Sequence, residues 1–261
     1  MIGHGSDPRD QLKEAIREIQ VMAGLTDATA SRLRISRAAR FDEGPAVLSQ
    51  AFGNRAFKTV RGSAAPDALS APRSLTIGVT SVNYRDGKST VAMALASCLA
   101  HDFAAEVTLA DADFETHSIG REYGLIGRQG LAEVLTGETS LVHATFRYRA
   151  APLSVVTSGE VKVEPSRLAR SESLKWTIEE MKGRSAFVVL DLPAALHSTN
   201  AAVIGAHCDG VIVVVRAGHT TRQELDRVLR QFHSVNVIGV VLNRQASSVP
   251  GWVDRLLALP A

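Results

Sequence analysis

The stretch Thr80–Thr90, TSVNYRDGKST, decides the fold of this chain. It follows the apolar run Leu75–Thr80 and leads into the helical pattern Ser89–His101. A loop between a strand and a helix directs the backbone N–H groups of the helix start toward an anion, and the helix dipole favours negative charge there. The segment Gly87–Thr90 (GKST) matches the second half of a Walker A sequence in the context that such a loop requires. The sequence therefore predicts a phosphate-binding loop.

The residues of this loop have separate predicted tasks. The residues expected to contact a bound nucleotide are Asp86, Gly87, Lys88, Ser89 and Thr90. Lys88 is expected to neutralise the β- and γ-phosphates, and the Ser89 hydroxyl is expected to bind Mg²⁺. The first half of the loop is irregular, because Val82 stands where Gly or Ala is usual and the bulky Tyr84 and Arg85 replace small residues.

Acidic residues follow two further apolar runs. The runs VTLAD and FVVLD end with Asp111 and Asp191, and Asp113 comes two residues after the first of these. The carboxyl ends of parallel strands meet at one edge of a sheet, and Mg²⁺ prefers hard oxygen ligands. We therefore expect Ser89, Asp111 and Asp191 to form a magnesium site. The simpler alternative is that the carboxylates only cap the loops or helices that follow them.

Short apolar runs alternate with helical patterns from Leu75 onward. The runs are Leu75–Thr80, Val107–Ala110, Leu153–Val156, Ala186–Leu190, Val211–Val215 and Val237–Leu242. The helix candidates are Ser89–His101, Pro165–Lys182, Asn200–His207 and Thr221–Phe232. Several runs are continuously apolar, as expected of strands buried on both faces of a parallel sheet. The pattern predicts an α/β fold of the P-loop NTPase type, with a doubly wound, mainly parallel sheet and helices on both faces.

The first part of the chain has a different character. Residues 1–73 are predicted to form a helical, basic N-terminal extension and linker, ahead of a nucleotide-binding domain at 74–261. Pro8–Met22 has the spacing of an amphipathic helix, and Ser31–Arg40 holds four Arg and no acid. Such a basic segment could meet an anionic membrane surface, nucleic acid or an acidic partner, or it could form a solvated helix face. The net charge of +2 gives no support for nucleic-acid binding, and we expect none.

The composition excludes several classes of protein. A chain of 261 residues with 45% hydrophobic residues is not disordered throughout. No apolar run approaches the roughly 18–20 residues of a membrane span, so we expect no transmembrane segment. The two cysteines, Cys98 and Cys208, do not indicate a disulfide framework, and we therefore expect a cytoplasmic protein. The scattered histidines do not indicate a His/Cys metal site.

The order of the motifs resembles that of the bacterial tyrosine kinases of capsule and exopolysaccharide synthesis, in particular their cytoplasmic CpsD/CapB-like domain. The similar stretches are GKST at 87–90, DAD at 111–113, GLAEVLTG at 130–137, TSG at 157–159, EPSRL at 164–168, DLP at 191–193, GVIVVVR at 210–216 with Thr220, and IGVVLN at 238–243. They span roughly residues 74–245. The resemblance implies that Mg²⁺ and ATP are bound and that a phosphoryl group is transferred to protein tyrosine.

The resemblance also implies roles for individual residues. The catalytic set would be Lys88, Asp111 and Asp113, with Lys88 on the phosphates and either Asp111 or Asp113 activating the attacking hydroxyl. Asn243, after the last predicted strand, matches a position that contacts the adenine in related P-loop folds.

The resemblance implies partners as well. Proteins of this type work with a transmembrane chain-length-determinant protein, the polysaccharide co-polymerase, which would place this chain peripherally at the inner face of the cell membrane. Self-association is also implied, although Gln50, Gly53 and Ala56 replace the charged residues of the family's Glu-x-x-Arg-x-x-Arg assembly motif.

Further departures from the family pattern favour a second hypothesis. Tyr84 and Arg85 replace a Pro-Gly pair, Glu115 stands where the family has arginine, and residues 246–261 lack the family's tyrosine cluster. These differences favour a catalytically weak or inactive, nucleotide-dependent scaffold or regulator of a membrane polysaccharide export complex.

Two other nucleotide-binding classes match the sequence less well. A partition or septum-placement ATPase would need a signature lysine where this chain has Asn83. Dinucleotide binding would need a G-x-G-x-x-G sequence after the first strand, and the loop lacks it.

Overall fold

The computed structural model describes residues 74–102, 105–148 and 151–244. The predicted N-terminal helix, the basic segment, the linker and the tyrosine-free tail lie outside the described residues. The strands are β1 Leu75–Ser81, β2 Val107–Asp111, β3 Thr145–Tyr148, β4 Leu153–Val156, β5 Phe187–Asp191, β6 Gly210–Arg216 and β7 Val237–Asn243. The helices are α1 Lys88–Asp102, α2 Ser118–Glu122, α3 Leu131–Leu135, α4 Leu141–Ala144, α5 Pro165–Ala169, α6 Glu172–Lys182, α7 Asn200–Gly205 and α8 Arg222–Gln231.

The strands form one sheet of seven in the order β3-β4-β2-β5-β1-β6-β7. All neighbouring strands are parallel except β3, which runs antiparallel to β4. The first strand therefore lies inside the sheet, and the chain adds strands on both sides of it. This arrangement confirms the predicted doubly wound, mainly parallel sheet. It also brings the ends of β1, β2, β5 and β6 to one edge.

Helices cover both faces of the sheet, and this explains the continuously apolar strands. Ile77 and Val79 of β1 lie in one buried cluster with Leu95 of α1. Val188 and Leu190 of β5 lie in the opposite cluster, which also contains side chains of α6 and α7. Alternate strand residues point to opposite faces, so every position of β1, β2 and β5 is buried.

The predicted boundaries differ from the structure in a few places. The single helix predicted at 165–182 is two helices, α5 and α6, because the Ser171 hydroxyl accepts a hydrogen bond from Leu174 N at 3.3 Å and caps a new helix start. Four elements of four or five residues, α2, α3, α4 and β3, are additional to the predicted ones. No helix in the described part of the chain combines the length and the apolar character that a membrane span needs.

Candidate functional site

The loop between β1 and α1 depends on one glycine. Gly87 has a φ of +102°, and a Cβ at this position would collide with the side-chain amide of Asn243. That amide donates a hydrogen bond to the backbone oxygen of Asp86 at 2.8 Å. Asn243 is the last residue of β7, so the end of the last strand supports the loop through this hydrogen bond. The predicted contact of Asn243 with adenine stays a prediction, because in this structure its amide holds the protein backbone.

A second residue of the loop also has left-handed backbone geometry. Arg85 has a φ of +63°, which is uncommon for a residue with a side chain. This is the position where the family pattern has the glycine of Pro-Gly. The backbone of the loop therefore keeps a glycine-like conformation although the side chain has changed.

The carboxylate of Asp86 is completely buried within the loop. One oxygen, Oδ2, accepts hydrogen bonds from Asn83 N at 2.9 Å and from the Thr220 hydroxyl at 3.0 Å. Thr220 lies in the segment between β6 and α8. The hydrogen bond to Asp86 therefore joins the phosphate-binding loop to that segment, at the same edge of the sheet. This side chain shapes the loop, and its predicted contact with a nucleotide stays a prediction.

Lys88 begins α1 and lies between two buried carboxylates. Its Nζ is 2.8 Å from Asp113 Oδ2 and 3.1 Å from Asp191 Oδ1, and it donates to the Ser89 hydroxyl at 3.2 Å. Only 6% of the Lys88 surface is exposed. Burial alone would lower the pKa of Lys88, but the charges of Asp191 and Asp113 outweigh it, so the pKa is raised. Lys88 therefore stays protonated.

The three aspartates have different protonation behaviour. Burial and the charge of Asp191 raise the pKa of Asp111 well above its usual value. Burial also raises the pKa of Asp191, against the effect of Lys88. Burial acts in the same direction on Asp113, but the Lys88 ammonium and the Thr116 hydroxyl outweigh it and lower the pKa of Asp113. The site thus contains one buried ammonium group, that of Lys88, and three buried carboxyl groups. It therefore has fewer positive than potential negative charges.

The predicted magnesium ligands can be compared with this geometry. Asp191 Oδ2 is buried and has no hydrogen-bond partner in the described part of the chain, and the Ser89 hydroxyl contacts the same carboxylate. Asp111 differs, since its two oxygens accept hydrogen bonds from Asp113 N at 3.1 Å and Ile119 N at 3.2 Å. The described residues contain no group of three or more His, Cys, Asp or Glu side chains that could hold a metal ion alone. Mg²⁺ usually combines one or two carboxylates with phosphate oxygens and water, and Asp191 with Ser89 fits that pattern.

The outer part of the loop makes contacts that the sequence analysis missed. The ring of Tyr84 stacks on His197 with a centroid distance of 4.6 Å, and its hydroxyl donates to Glu115 Oε2 at 2.9 Å. The side chain of Asn83 contacts His197 Nε2 at 3.1 Å. These partners are 31 and 114 residues apart in the chain, and no local pattern connects them.

Two stretches that resemble the family come together beside this site. The buried carboxylate of Glu133, in the GLAEVLTG stretch, accepts hydrogen bonds from Gly130 N at 2.8 Å and Glu160 N at 2.9 Å. It thereby fixes the TSG stretch after β4. His117 Nδ1 contacts the buried Ser158 hydroxyl of that stretch at 2.6 Å. These contacts hold two loops in place at the edge of the sheet.

The structure brings most of the predicted site residues together. Lys88, Ser89, Asp113 and Asp191 are in direct contact, and Asp111 pairs with Asp191 across adjacent strands. The other predicted nucleotide contacts lie on the loop or beside it. Asp86 and Gly87 belong to the loop, Asn243 lies beneath it, and Thr90 is half-buried in the first turn of α1.

Known proteins with similar sequences are tyrosine-protein kinases. No protein-family model matches the chain. The chain is 29% identical over 181 residues to the tyrosine-protein kinase CpsD of Streptococcus agalactiae, a match that covers 68% of this chain and 78% of that protein. It is 30% identical over 188 residues to the tyrosine-protein kinase ptk of Acinetobacter johnsonii, which covers 71% of this chain but only 25% of that protein. The chain thus spans most of the first relative and a quarter of the second.

Solved structures show the same fold. The BceF tyrosine kinase domain matches with a TM-score of 0.58 and 27% identity, over 64% of this chain and 68% of that one. The septum site-determining protein MinD of Pyrococcus horikoshii, complexed with Mg-ADP, matches with a TM-score of 0.56 and 22% identity, over 72% of this chain and 79% of that one. The second likeness concerns the fold alone. The similar sequences, the shared fold and the order of the motifs together support a CpsD-like bacterial tyrosine kinase.

Proposed function

We propose that this protein binds Mg-ATP at the carboxyl edge of its sheet and transfers the γ-phosphoryl group to tyrosine hydroxyls in exopolysaccharide or capsule synthesis. The observation that carries this proposal is the Lys88 ammonium, which lies 2.8 Å from Asp113 and 3.1 Å from Asp191 at the start of α1. A buried cation beside the first N–H groups of a helix is suited to a polyphosphate. The relatives named tyrosine-protein kinases support tyrosine as the acceptor.

The residues of the site have distinct tasks in this proposal. Lys88 and the loop backbone would bind and neutralise the phosphates, while Asp191 and Ser89 would hold Mg²⁺. The metal, when bound, supplies further charge neutralisation for the phosphoryl group. Asp111 is a better proton acceptor than Asp113, because its pKa is raised and that of Asp113 is lowered. Positioning and electrostatic stabilisation would thus supply most of the catalysis.

The first experiment tests the loop as a nucleotide site. We expect Lys88→Met to weaken ATP binding about 10- to 100-fold, since a hydrogen bond to a charged group contributes about 1.5–3 kcal/mol. The matched control is Lys175→Met, which removes an exposed lysine of α6. Calorimetric titration with Mg-ATP measures the affinity, and circular dichroism shows that both variants are folded. Equal affinities in a folded Lys88→Met protein and its control would refute the assignment of the loop.

The alternative function is a nucleotide-dependent scaffold that regulates a polysaccharide export complex. Glu115 favours it, because this exposed carboxylate places negative charge at the rim of the phosphate site, where the family has arginine. Measurements of phosphate release and phosphotyrosine formation separate the two functions. Formation of phosphotyrosine supports the kinase, and ATP binding without any turnover supports the scaffold.

The proposed partner is a transmembrane chain-length-determinant protein. Such a partner would hold this chain at the inner face of the cell membrane, and the proposal rests on the likeness to proteins of the CpsD type. Co-purification of the two proteins from detergent-solubilised membranes, with the chain found in the membrane fraction only when the partner is present, tests both the partner and the location. Self-association can be measured on the same material by light scattering, with and without ATP.

A further inference from the structure

Tyrosine is rare in this chain, and its few positions are informative. The sequence contains three tyrosines, Tyr84, Tyr123 and Tyr148, and all of them are among the described residues. Tyr123 and Tyr148 are half-buried, whereas Tyr84 is 41% exposed. If the chain phosphorylates itself on tyrosine, Tyr84 is therefore the most accessible acceptor.

Tyr84 lies on the phosphate-binding loop itself. Its hydroxyl donates a hydrogen bond of 2.9 Å to Glu115 Oε2, and its ring is held by the stacked His197. Tyr84 comes four residues before Lys88 in the same loop, and burial together with the Glu115 carboxylate raises the pKa of its hydroxyl. A phenol is thus presented beside the phosphate site, already in contact with a carboxylate that can take its proton.

The purely structural explanation of this contact is that Tyr84 and Glu115 only hold the loop in shape. That explanation accounts for the hydrogen bond, but the contact is exposed, and an exposed hydrogen bond contributes little to stability. The loop already has stronger, buried supports in Asp86 and Asn243. Structural support of the loop therefore does not explain why a tyrosine and a carboxylate are paired on the loop that leads into Lys88.

We propose that Tyr84 is an autophosphorylation site and that Glu115 is the general base for its hydroxyl. This inference rests on the proposed function. In the reaction, Tyr84 Oη forms a bond to the γ-phosphorus of ATP, and the bond from that phosphorus to the bridging oxygen of ADP breaks. ADP leaves with the electron pair of the broken bond. The phenol proton passes to the Glu115 carboxylate, which later releases it to water.

The product would change the loop. A phosphate on Tyr84 carries about −1.5 to −2 charges at neutral pH and would be repelled by Glu115. The hydrogen bond that now joins them would be lost, because neither group would then carry a proton for it. We therefore expect the phosphorylated protein to bind ATP about tenfold more weakly than the unmodified protein.

The experiment uses the full chain with Mg-ATP labelled in the γ-phosphate, followed by peptide mapping. The expected result is a phosphoryl group on Tyr84 that is lost in Tyr84→Phe and kept in Tyr148→Phe. Phenylalanine preserves the ring on His197 and removes only the hydroxyl. We expect Glu115→Gln to keep the hydrogen bond but to slow labelling about 100-fold, the usual size of a general-base contribution.

A synthetic Glu-Tyr copolymer, added as an external acceptor, separates this inference from the proposed function. Copolymer phosphorylation without label on Tyr84 overturns the inference and leaves the kinase assignment intact. Equal labelling of Tyr84→Phe and the unaltered chain, or label at another residue, also overturns it. If the unaltered chain neither labels itself nor labels the copolymer, the inference and the proposed kinase activity both fail.

Discussion

Asp111 and Asp191 are directly paired in the parallel register of β2 and β5, and each is the last residue of its strand. Both carboxylates are fully buried. Lys88 contacts Asp191 directly, whereas Asp111 is held by backbone N–H groups. Two buried acids side by side are unfavourable when both are charged, so the site is arranged to gain from the binding of a cation.

This pairing predicts that Mg-nucleotide binding releases a proton from Asp111. The pKa of Asp111 is raised in the free protein, so the folded state keeps this proton at a pH above the ordinary aspartate value of about 3.9. A nearby divalent cation favours the charged form and lowers that pKa. Proton release should be larger in mildly acidic than in alkaline buffer. Calorimetry in buffers of different ionisation enthalpy measures it.

The control for proton release is Asp111→Asn, which removes the titrating group. This variant should lose the pH-dependent part of the signal even if its affinity for Mg-ATP also falls. A pH-dependent release of the same size in the variant would show that the proton comes from another residue.

Gly87→Ala should abolish nucleotide binding and lower the free energy of unfolding by about 2–3 kcal/mol, from left-handed strain together with the collision with Asn243. Gly124→Ala is the matched control, because Gly124 also has a positive φ but has no atoms within 4 Å of the added Cβ. We expect it to cost only about 1 kcal/mol. Urea denaturation measures both. If the collision matters, Asn243→Ala should weaken the effect of Gly87→Ala, and fully additive losses would contradict that cause.

Arg85→Gly should increase the free energy of unfolding by up to about 1 kcal/mol, because it removes the left-handed strain of a residue with a side chain. The gain is limited by the greater freedom of glycine in the unfolded chain. Arg227→Gly, in the middle of α8, should lower the free energy of unfolding by about 1 kcal/mol. Thermal and urea denaturation compare the two variants. Destabilisation of similar size by both would mean that Arg85 is not strained.

Glu133→Ala should lower the free energy of unfolding by about 2 kcal/mol, since Gly130 N would lose the carboxylate that accepts its hydrogen bond. Glu122→Ala removes an exposed carboxylate of α2 and should change stability by about 0.5 kcal/mol or less. Hydrogen exchange adds a local test, because the amides of Gly130 and Glu160 should become less protected in the Glu133 variant. Unchanged protection there would mean that the carboxylate does not hold the two loops together.

The parts of the fold that were predictable have strong local signals. The strands β5 and β6 are almost continuously apolar because helices cover both faces of the sheet, and the alternation with helices predicts parallel pairing. The strand β3 was missed because it is short, antiparallel and at the edge, with two exposed residues. The break between α5 and α6 depends on the Ser171 cap, which an apolar periodicity does not reveal.

The site was predictable to the extent that its residues lie at strand ends. Lys88, Asp111 and Asp191 could be placed together because parallel strands share one carboxyl edge. The contact between Tyr84 and Glu115 could not be predicted, because it depends on the paths of two loops that follow different strands. The hydrogen bond from Asn243 to the backbone of Asp86 joins residues that are 157 positions apart. It could not be predicted either, because the orientation of the Asn243 side chain depends on tertiary packing.

The bond between Asn243 and Asp86 also sets an order of events during synthesis of the chain. Asp86 leaves the ribosome early, but its loop lacks this support until the residue 157 positions later has emerged and β7 has joined the sheet. A nascent chain that ends before Asn243 would contain the complete GKST sequence but would lack the hydrogen bond that supports the phosphate-binding loop. If nucleotide binds as proposed, it would stabilise the protein only after nearly the whole described domain has been made.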